Sequence, residues 1–225
     1  MVKHLIFDLD GTLVDSVGIT VAIIDQMLAS RGITLTACPI TTRAHVSAGG
    51  EAMIAAVMGE HCEDPQADTA EFRRIHAETP TPPDTLFPHV AEVLHRLHDD
   101  GFILSICSNK PQNLCEKVLA DLGIAHLFAT IVGSRPGVRK KPHPDLMQLV
   151  LDATQADPAD CLFIGDSELD LHAAHHFGMR FVLVEWGYVE DLDKLSQAPG
   201  DYDLVASMPA LFDLALDVRR GRAAA

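Results

Sequence analysis

The hydrophobic residues of the chain follow two patterns, one typical of buried strands and one typical of helices. Compact apolar runs predict strands at residues 2–7, 102–108, 129–133, 161–165, 181–185 and 203–206. Apolar residues spaced three and four apart predict helices at residues 89–101, 112–122, 145–154, 168–176 and 209–219. Strands and helices therefore alternate from residue 88 onward. This alternation predicts an α/β fold with a doubly wound, Rossmann-like parallel sheet.

The segment between the first two predicted strands has a different pattern. Apolar residues have helical spacing at 16–31 and again after Gly50, and a more polar helix is predicted at 68–78. A proline-rich stretch, TPTPPD at 79–84, indicates a connector. We therefore predict a small helical cap, residues 15–85, inserted after the first strand into a core formed by residues 1–14 and 86–225.

The charge of the chain limits the partners that it can bind. Its 32 acidic and 17 basic residues give a net charge of −15 at pH 7. A nucleic-acid surface needs a basic footprint, and an anionic membrane would repel this charge. We therefore expect neither partner, and an anionic substrate would need local positive charge or a divalent cation at its site.

The cysteine and hydropathy patterns indicate an intracellular protein. Five widely spaced cysteines without a C-x-x-C pair favour reduced thiols over a disulfide framework. The apolar run after Lys3 is interrupted by Asp8, so we expect no secretory signal. No apolar stretch approaches the roughly 18 residues of a membrane span. We expect a cytoplasmic monomer or homodimer.

Polar and charged residues follow the carboxyl ends of the predicted strands. They are Asp8 and Asp10 after the first strand, Ser108 and Asn109 after the second, Lys140 and Lys141 after the third, and Asp166 and Asp170 after the fourth. Parallel strands place their carboxyl ends at one edge of the sheet, where such folds bind ligands. The sequence therefore predicts one crevice that holds several carboxylates, a hydroxyl group and a lysine.

Each of these groups also has an ordinary structural explanation. An Asp-Gly sequence between apolar runs is typical of a hairpin turn, although the predicted parallel sheet removes that hairpin. Ser167 and Asp170 have the spacing of a helix capping box, and the basic loop could be simply solvated. The ordered set indicates magnesium-assisted phosphoryl transfer, because Mg²⁺ prefers oxygen ligands and no Cys or His accompanies the carboxylates.

Four ordered motifs resemble those of the haloacid dehalogenase superfamily. They are DLDGT at 8–12, CSNKP at 107–111, KKPHPD at 140–145 and GDSELD at 165–170. The helical segment between the first two motifs resembles the type-one cap of that family. The stretches FDLDGTLVDS, SNKP and GDSELDLHAAHHFGM resemble its phosphoglycolate phosphatase group in particular. The resemblance covers nearly the whole chain, and four motifs in order are specific.

This resemblance implies a catalytic or metal-binding role for four aspartates. Asp8 corresponds to the nucleophile and Asp10 to the general acid/base, and both also ligate Mg²⁺, Asp10 through its backbone carbonyl. Asp166 corresponds to a carboxylate ligand of the metal, and Asp170 to a supporting acid next to it. We expect Mg²⁺ and Lys141 to offset the repulsion between Asp8 and Asp10, and that repulsion to help keep Asp10 protonated.

The same resemblance implies a phosphate-binding role for the residues around these aspartates. They are Ser108, Asn109, Lys141 and Gly11. Lys141 is preferred to Lys140 because the lysine of the family directly precedes the proline. We therefore expect Lys140 to face solvent.

Several departures from the family favour a phosphatase over its other reactions. Dehalogenases lack the second aspartate of the first motif, which is Asp10 here. Phosphonatases use a cap lysine, and none occurs between Lys3 and Lys110. The β-phosphoglucomutase group has a cap histidine where this chain has Thr20, so a phosphomutase stays as the alternative. A non-catalytic binding module would be favoured only if a motif residue had been lost.

Substrate choice is expected to depend on the cap. The candidate residues are Arg43, His45, Gly49 and Gly50. Arg43 could bind a substrate carboxylate through two hydrogen bonds, or it could pair with a surface carboxylate of this acidic chain. We expect a phosphatase of a small phosphorylated metabolite, with 2-phosphoglycolate first and pyrophosphate or a sugar phosphate as alternatives.

Overall fold

Six parallel strands form one sheet in the computed structural model, which describes residues 2–46, 50–188 and 202–221. The strands are β1 (His4–Phe7), β2 (Ile103–Pro111), β3 (Phe128–Ser134), β4 (Cys161–Gly165), β5 (Arg180–Val184) and β6 (Tyr202–Val205). Their order is β3-β2-β1-β4-β5-β6. The chain therefore runs outward from β1 to β3 and then returns to the other side of β1. This is the predicted doubly wound topology, and it is confirmed.

Helices cover the sheet and fill the segment between β1 and β2. They are α1 (Val17–Ser30), α2 (Pro39–His45), α3 (Gly50–Met58), α4 (Pro65–Glu78), α5 (Val90–Asp99), α6 (Gln112–Asp121), α7 (Asp145–Thr154), α8 (Glu168–His176) and α9 (Met208–Arg219). Within the described ranges, no helix has both the length and the apolar character needed to cross a membrane.

The core has one apolar layer on each face of the sheet. Leu5 and Phe7 of β1 pack on one face with apolar residues of α5, α6 and α9. Ile6 points to the other face and packs with residues of α7 and α8. Alternate residues of one strand are thus buried on opposite faces, which explains the continuous apolar runs of the sequence.

Helices α1 to α4 form the predicted helical cap. Ile24, Met27, Ile54 and Phe72 belong to an apolar cluster of their own, to which α1, α3 and α4 contribute. Helix α5 packs instead on the sheet, through Val90 and its neighbours. The domain boundaries predicted at residues 15 and 85 stay a prediction.

Two cap helices differ from the sequence prediction. Helix α2 was not predicted, and it begins at Pro39, whose fixed φ favours the first helical position. Helix α4 begins at Pro65, three residues before the predicted start. The Asp64 side chain accepts hydrogen bonds from the backbone N–H groups of Gln66 (3.0 Å) and Ala67 (3.1 Å), which caps the helix there.

Candidate active site

The predicted strand-end residues meet beside β1, where the strand order reverses. Asp8 is the first residue after β1, and its backbone N–H donates to the carbonyl of Ile164 on β4 (2.9 Å). Its side chain is buried. The nucleophile predicted from the sequence is therefore anchored at the point where doubly wound sheets bind ligands.

Lys141 reaches this point from the loop after β3. Its Nζ lies 2.8 Å from Asp8 Oδ1, and it donates to Asp170 Oδ1 (2.6 Å) and to the carbonyl of Cys107 (2.8 Å). The lysine side chain is only 2% exposed. Burial would lower the pKa of Lys141, but the charges of Asp170 and Asp8 outweigh it and raise that pKa. Lys141 is thus a buried ammonium group held between two carboxylates.

Asn109 connects the end of β2 to the loop that carries Lys141. Its Oδ1 accepts from the backbone N–H of Lys141 (2.8 Å), and its Nδ2 donates to the carbonyl of the same residue (3.1 Å). Ser108 is buried, and its hydroxyl accepts from the backbone N–H of Lys110 (3.3 Å). Both residues line the cavity above Asp8 with Lys141, so the structure brings together three of the four predicted phosphate-binding residues, whereas Gly11 lies against Asp166.

Asp8 also belongs to a group of three buried carboxylates. Asp8, Asp166 and Asp170 each offer an oxygen, and these oxygens lie within 4.8 Å of one another. Burial raises the pKa of Asp166 well above its ordinary value, and the charges of Asp170 and Asp8 raise it further. Burial also raises the pKa of Asp8, to about 6, although Lys141 opposes this. The repulsion among these carboxylates favours a cation beside them.

The hydrogen bonds of these carboxylates test whether a metal ion fits. Asp166 Oδ2 accepts from the backbone N–H of Tyr188 (2.8 Å), whereas its buried Oδ1 has no hydrogen-bond partner among the residues that the structure describes. Both oxygens of Asp170 are bonded, Oδ1 to Lys141 and Oδ2 to the Ser167 hydroxyl (2.5 Å). The oxygen-only donors and the unpartnered Asp166 oxygen fit a hard divalent cation. The group could therefore hold a metal ion.

Asp170 also caps the helix that follows it. The Ser167 hydroxyl accepts from the backbone N–H of Asp170 (3.4 Å), and the Asp170 carboxylate accepts from the backbone N–H of Ser167 (3.2 Å). This is the capping box that the spacing predicted. A structural and a site role thus coexist in one residue.

Asp10 faces away from the three-carboxylate group. Its two oxygens lie 3.0 and 3.2 Å from Lys110 Nζ, and the Ser16 hydroxyl donates to it. Burial alone would raise the pKa of Asp10, but Lys110 and Ser16 outweigh it and lower that pKa. We expected repulsion to help keep Asp10 protonated, and the structure gives the opposite direction.

Neither Lys110 nor Ser16 was given a role from the sequence. Both lie inside the stretches that carry the family resemblance, CSNKP and FDLDGTLVDS. Their positions in these motifs could have indicated a role in the site. Residue type and spacing, however, do not predict which carboxylate a side chain will contact.

The predicted cap residues lie in different places. The Arg43 guanidinium donates to the carbonyls of Gly187 and Trp186 (3.5 Å to the latter) and lies over the Tyr188 ring. His45 Nδ1 lies 2.9 Å from the carbonyl of Thr41, within helix α2. Neither residue lines the cavity, and their contact with substrate stays a prediction.

The two predicted cap glycines and Lys140 complete this account. Gly49 lies outside the described residues, whereas Gly50 lines the cavity. Lys140, which we expected to face solvent, is half-buried and lines the cavity as well. The loop after β3 brings it under the cap, beside Gly50.

The chain is similar to known proteins over most of its length. A family model described as haloacid dehalogenase-like hydrolase matches residues 5–184. The phosphoglycolate phosphatase of Pectobacterium atrosepticum is 33% identical over 192 residues, which cover 83% of this chain and 82% of the relative. That of Xanthomonas campestris pv. campestris is 33% identical over 200 residues, which cover 86% and 88%.

A solved structure has the same fold. The crystal structure of a predicted phosphoglycolate phosphatase from Haemophilus somnus is 25% identical to this chain and superposes with a TM-score of 0.77. The match covers 97% of both chains. The sheet and the inserted cap are therefore shared along nearly the whole length.

Proposed function

The chain belongs to the haloacid dehalogenase-like hydrolases, and on this premise we propose that it is a Mg²⁺-dependent phosphatase of a small phosphorylated metabolite. The observation that carries the proposal is the buried Lys141 ammonium, 2.8 Å from Asp8, beside a group of three buried carboxylates. We propose 2-phosphoglycolate as the first substrate to test, because phosphoglycolate phosphatases are 33% identical to the chain.

In the first step of the proposed reaction, a carboxylate oxygen of Asp8 attacks the phosphorus of the substrate. The bond from phosphorus to the leaving oxygen breaks, and Asp10 donates a proton to that oxygen. The products are an aspartyl-phosphate on Asp8 and a free alcohol. Because its pKa is about 6, Asp8 is mainly ionised at pH 7 and can act as the nucleophile.

In the second step, Asp10 accepts a proton from a water molecule, whose oxygen attacks the phosphorus. The bond between phosphorus and Asp8 breaks, which releases inorganic phosphate and restores the carboxylate. The contacts with Lys110 and Ser16 favour the ionised Asp10 that this step needs. They disfavour the protonated form that the first step needs.

The remaining site residues would stabilise charge on the phosphoryl oxygens. Lys141 and the Ser108 hydroxyl can donate to them, while Asn109 keeps Lys141 in place. The backbone N–H of Gly11 already donates to the carbonyl of Val14 (2.9 Å). Mg²⁺, held by the carboxylates of Asp8 and Asp166 with the Asp10 carbonyl, would supply charge neutralisation at those oxygens. Asp170 would support the site by orienting Lys141.

A metal-dependent hydrolysis screen tests the proposal. Phosphate release with Mg²⁺ is measured on 2-phosphoglycolate, pyrophosphate, hexose phosphates, nucleotides and p-nitrophenyl phosphate. Asp8→Asn should lose about 10³-fold or more of kcat, because it removes the nucleophile. The matched control is Asp99→Asn, whose side chain is 82% exposed, and it should keep full activity.

The outcomes of this screen separate three possibilities. Full activity of the Asp8→Asn protein would overturn the mechanism. Slow turnover of 2-phosphoglycolate beside fast turnover of another ester would overturn only the choice of substrate. Phosphoryl transfer to a second hydroxyl of a sugar phosphate, faster than to water, would indicate the alternative phosphomutase.

The role of Arg43 needs its own test. If it binds a substrate carboxylate, as proposed from the sequence, Arg43→Gln should raise KM for carboxylated substrates alone. Its contacts with the carbonyls of Trp186 and Gly187 support a different expectation, a similar loss for all substrates, because they attach helix α2 to the segment beside Asp166. Steady-state kinetics on 2-phosphoglycolate and p-nitrophenyl phosphate distinguish the two.

A further inference from the structure

One face of cap helix α4 presents hydrogen-bonding side chains to the cavity. Thr69, Arg73 and His76 are spaced four and three residues apart, so they lie on the same side of the helix. All three line the cavity above Asp8. They account for part of the polar character of this helix, which the sequence analysis left without a function.

Two of these side chains are buried without partners. Thr69 is 4% exposed and His76 is 1% exposed. The hydroxyl of Thr69 and both ring nitrogens of His76 have no hydrogen-bond partner among the described residues. Buried polar groups are nearly always bonded, and leaving one unbonded costs stability. Unbonded groups that line a cavity therefore point to a ligand that bonds them.

A pair of cations also lines the cavity, one from the cap and one from the core. A Cβ atom built on Gly50 would lie 3.5 Å from Arg73 Nη2 and 3.7 Å from Lys140 Nζ, so the two side chains converge there. Arg73 belongs to the cap and is exposed, while Lys140 belongs to the core and is half-buried. They face each other across the gap between cap and core.

These two cations lack the carboxylate partners that their neighbours have. Arg74 pairs with Glu78 (3.0 Å) and Arg139 with Asp145 (2.8 Å). Within the part of the chain that the structure describes, no carboxylate lies within 4.0 Å of Arg73 or Lys140. Since the chain has 32 acidic residues, two converging cations without one indicate a place for an external anion.

The electrostatics of Lys140 agree with this geometry. Burial lowers the pKa of Lys140, and the charge of Arg73 lowers it further, although Glu51 at the start of α3 opposes this. An anion placed between the two cations would relieve both effects. The transferred phosphoryl group already has Lys141, so this anion would be a different part of the substrate.

From these contacts we infer that Arg73 and Lys140 bind a second anionic group of the substrate, a carboxylate, while Thr69 and His76 donate hydrogen bonds to its polar atoms. This inference rests on the proposed phosphatase function and specifies its substrate class as phosphate esters that carry a carboxylate. The carboxylate of the substrate would then contact both the cap and the core and hold the cap over the site. We thus assign to Arg73 and Lys140 the binding of the substrate carboxylate that the sequence analysis predicted for Arg43.

The test compares substrates with and without the second anion. Arg73→Gln and Lys140→Gln should each lower kcat/KM for 2-phosphoglycolate about 10- to 100-fold. They should change kcat/KM for 2-hydroxyethyl phosphate and p-nitrophenyl phosphate less than about 3-fold. Arg74→Gln and Arg139→Gln are matched controls that should change neither. Fructose 1,6-bisphosphate beside fructose 6-phosphate shows whether a phosphate can replace the carboxylate.

Two results would overturn the inference. An equal loss on all substrates would show that Arg73 and Lys140 act on the fold or on the reacting phosphate, and no loss would show that they do not bind substrate. If the wild-type protein hydrolysed none of these phosphate esters, p-nitrophenyl phosphate included, both the proposed function and this inference would be overturned. Normal hydrolysis of p-nitrophenyl phosphate with unchanged selectivity in the variants would overturn the inference alone.

Thr69→Val gives a second, independent readout. The substitution keeps the shape of the side chain and removes a buried hydroxyl that has no partner, so we expect equal or higher stability in urea unfolding. The same variant should raise KM for 2-phosphoglycolate. A variant that is less stable and has an unchanged KM would show that the hydroxyl is structural and would contradict this part of the inference.

Discussion

At the residue scale, the Asp166 carboxylate lies against backbone that carries no side chain. A Cβ atom built on Gly11 would come within 2.6 Å of Asp166 Cγ, and one on Gly187 would come within 2.8 Å of Asp166 Oδ2. Gly11 also has a φ of +85°, in the left-handed region that favours glycine. Asp166 can therefore keep its position only while both neighbours lack a side chain.

Gly11→Ala should accordingly damage the metal site. The added methyl group must displace the Asp166 carboxylate, so we expect at least a 10-fold loss of Mg²⁺ affinity, measured as the concentration dependence of phosphate release. Gly18→Ala is the matched control. Gly18 lies in helix α1 with open space around it, so alanine there should raise the free energy of unfolding by up to about 1 kcal/mol. Unchanged Mg²⁺ affinity in Gly11→Ala would contradict this account.

The sequence could predict those residues of the site that the order of the strands brings together. Asp8, Lys141 and Asp166 follow different strands, and a parallel sheet brings all such positions together. Side-chain direction was not predictable, because it depends on loop conformation. Lys110 therefore meets Asp10, and Lys140 lies under the cap, although their neighbours Asn109 and Lys141 contact each other.

At the scale of elements, strand β1 has the site at one end and a buried histidine at the other. His4 is 2% exposed, and its Nε2 lies 2.8 Å from the Ser105 hydroxyl on β2. Its Nδ1 has no partner among the described residues. Burial lowers the pKa of His4 from 6.5 to about 4. The strand therefore accommodates this side chain only in its neutral form.

The pH dependence of stability should report on this histidine. The unfolded chain binds the proton near pH 6.5 and the folded chain only near pH 4, so the stability linked to His4 is present above pH 6.5 and is lost as the pH falls toward 4. Between about pH 7.5 and pH 5 the loss amounts to about 2 kcal/mol. In urea unfolding, the free energy of unfolding of His4→Gln should fall less than that of the wild type over the same pH range, by about that amount. An identical pH dependence in both proteins would contradict the prediction.

Elements with a strong hydrophobic pattern were predicted well, and short polar ones were not. The strands could be recognised because both faces of the sheet are covered, which makes their sequences apolar throughout. Helix α2 has seven residues, of which only Thr42 is buried, so it has no apolar face to recognise. The start of α4 depends on the Asp64 cap, a local contact that periodicity does not register.

At the scale of the whole molecule, the site lies between a cap and a core that have separate apolar clusters. Beside this gap, burial and the charges of Asp170 and Asp8 raise the pKa of Asp166. Binding of a cation to the folded chain should therefore stabilise the whole protein.

Mg²⁺ should raise the melting temperature of the protein, and EDTA should reverse the effect. At 100 times the dissociation constant, binding stabilises the fold by about 2.7 kcal/mol. Asp166→Asn should melt higher than the wild type in EDTA, because it removes one repelling charge, and should respond little to Mg²⁺. Asp99→Asn serves as the exposed control and should behave like the wild type. A wild-type melting temperature that is insensitive to Mg²⁺ would contradict the assignment of the metal site.

The strand order also has a consequence for how the chain is made. Strand β1 pairs with β2 through His4 and Ile103, and with β4 through His4 and Cys161. Although β1 leaves the ribosome before the other five strands, it has no neighbour in the sheet until the cap and α5 have been synthesised, and its second neighbour follows only with β4. The cap cluster, by contrast, draws mainly on residues close in sequence. We therefore expect the cap helices to collapse early, while the strand that carries Asp8 is completed among the last, as its long-range pairings require.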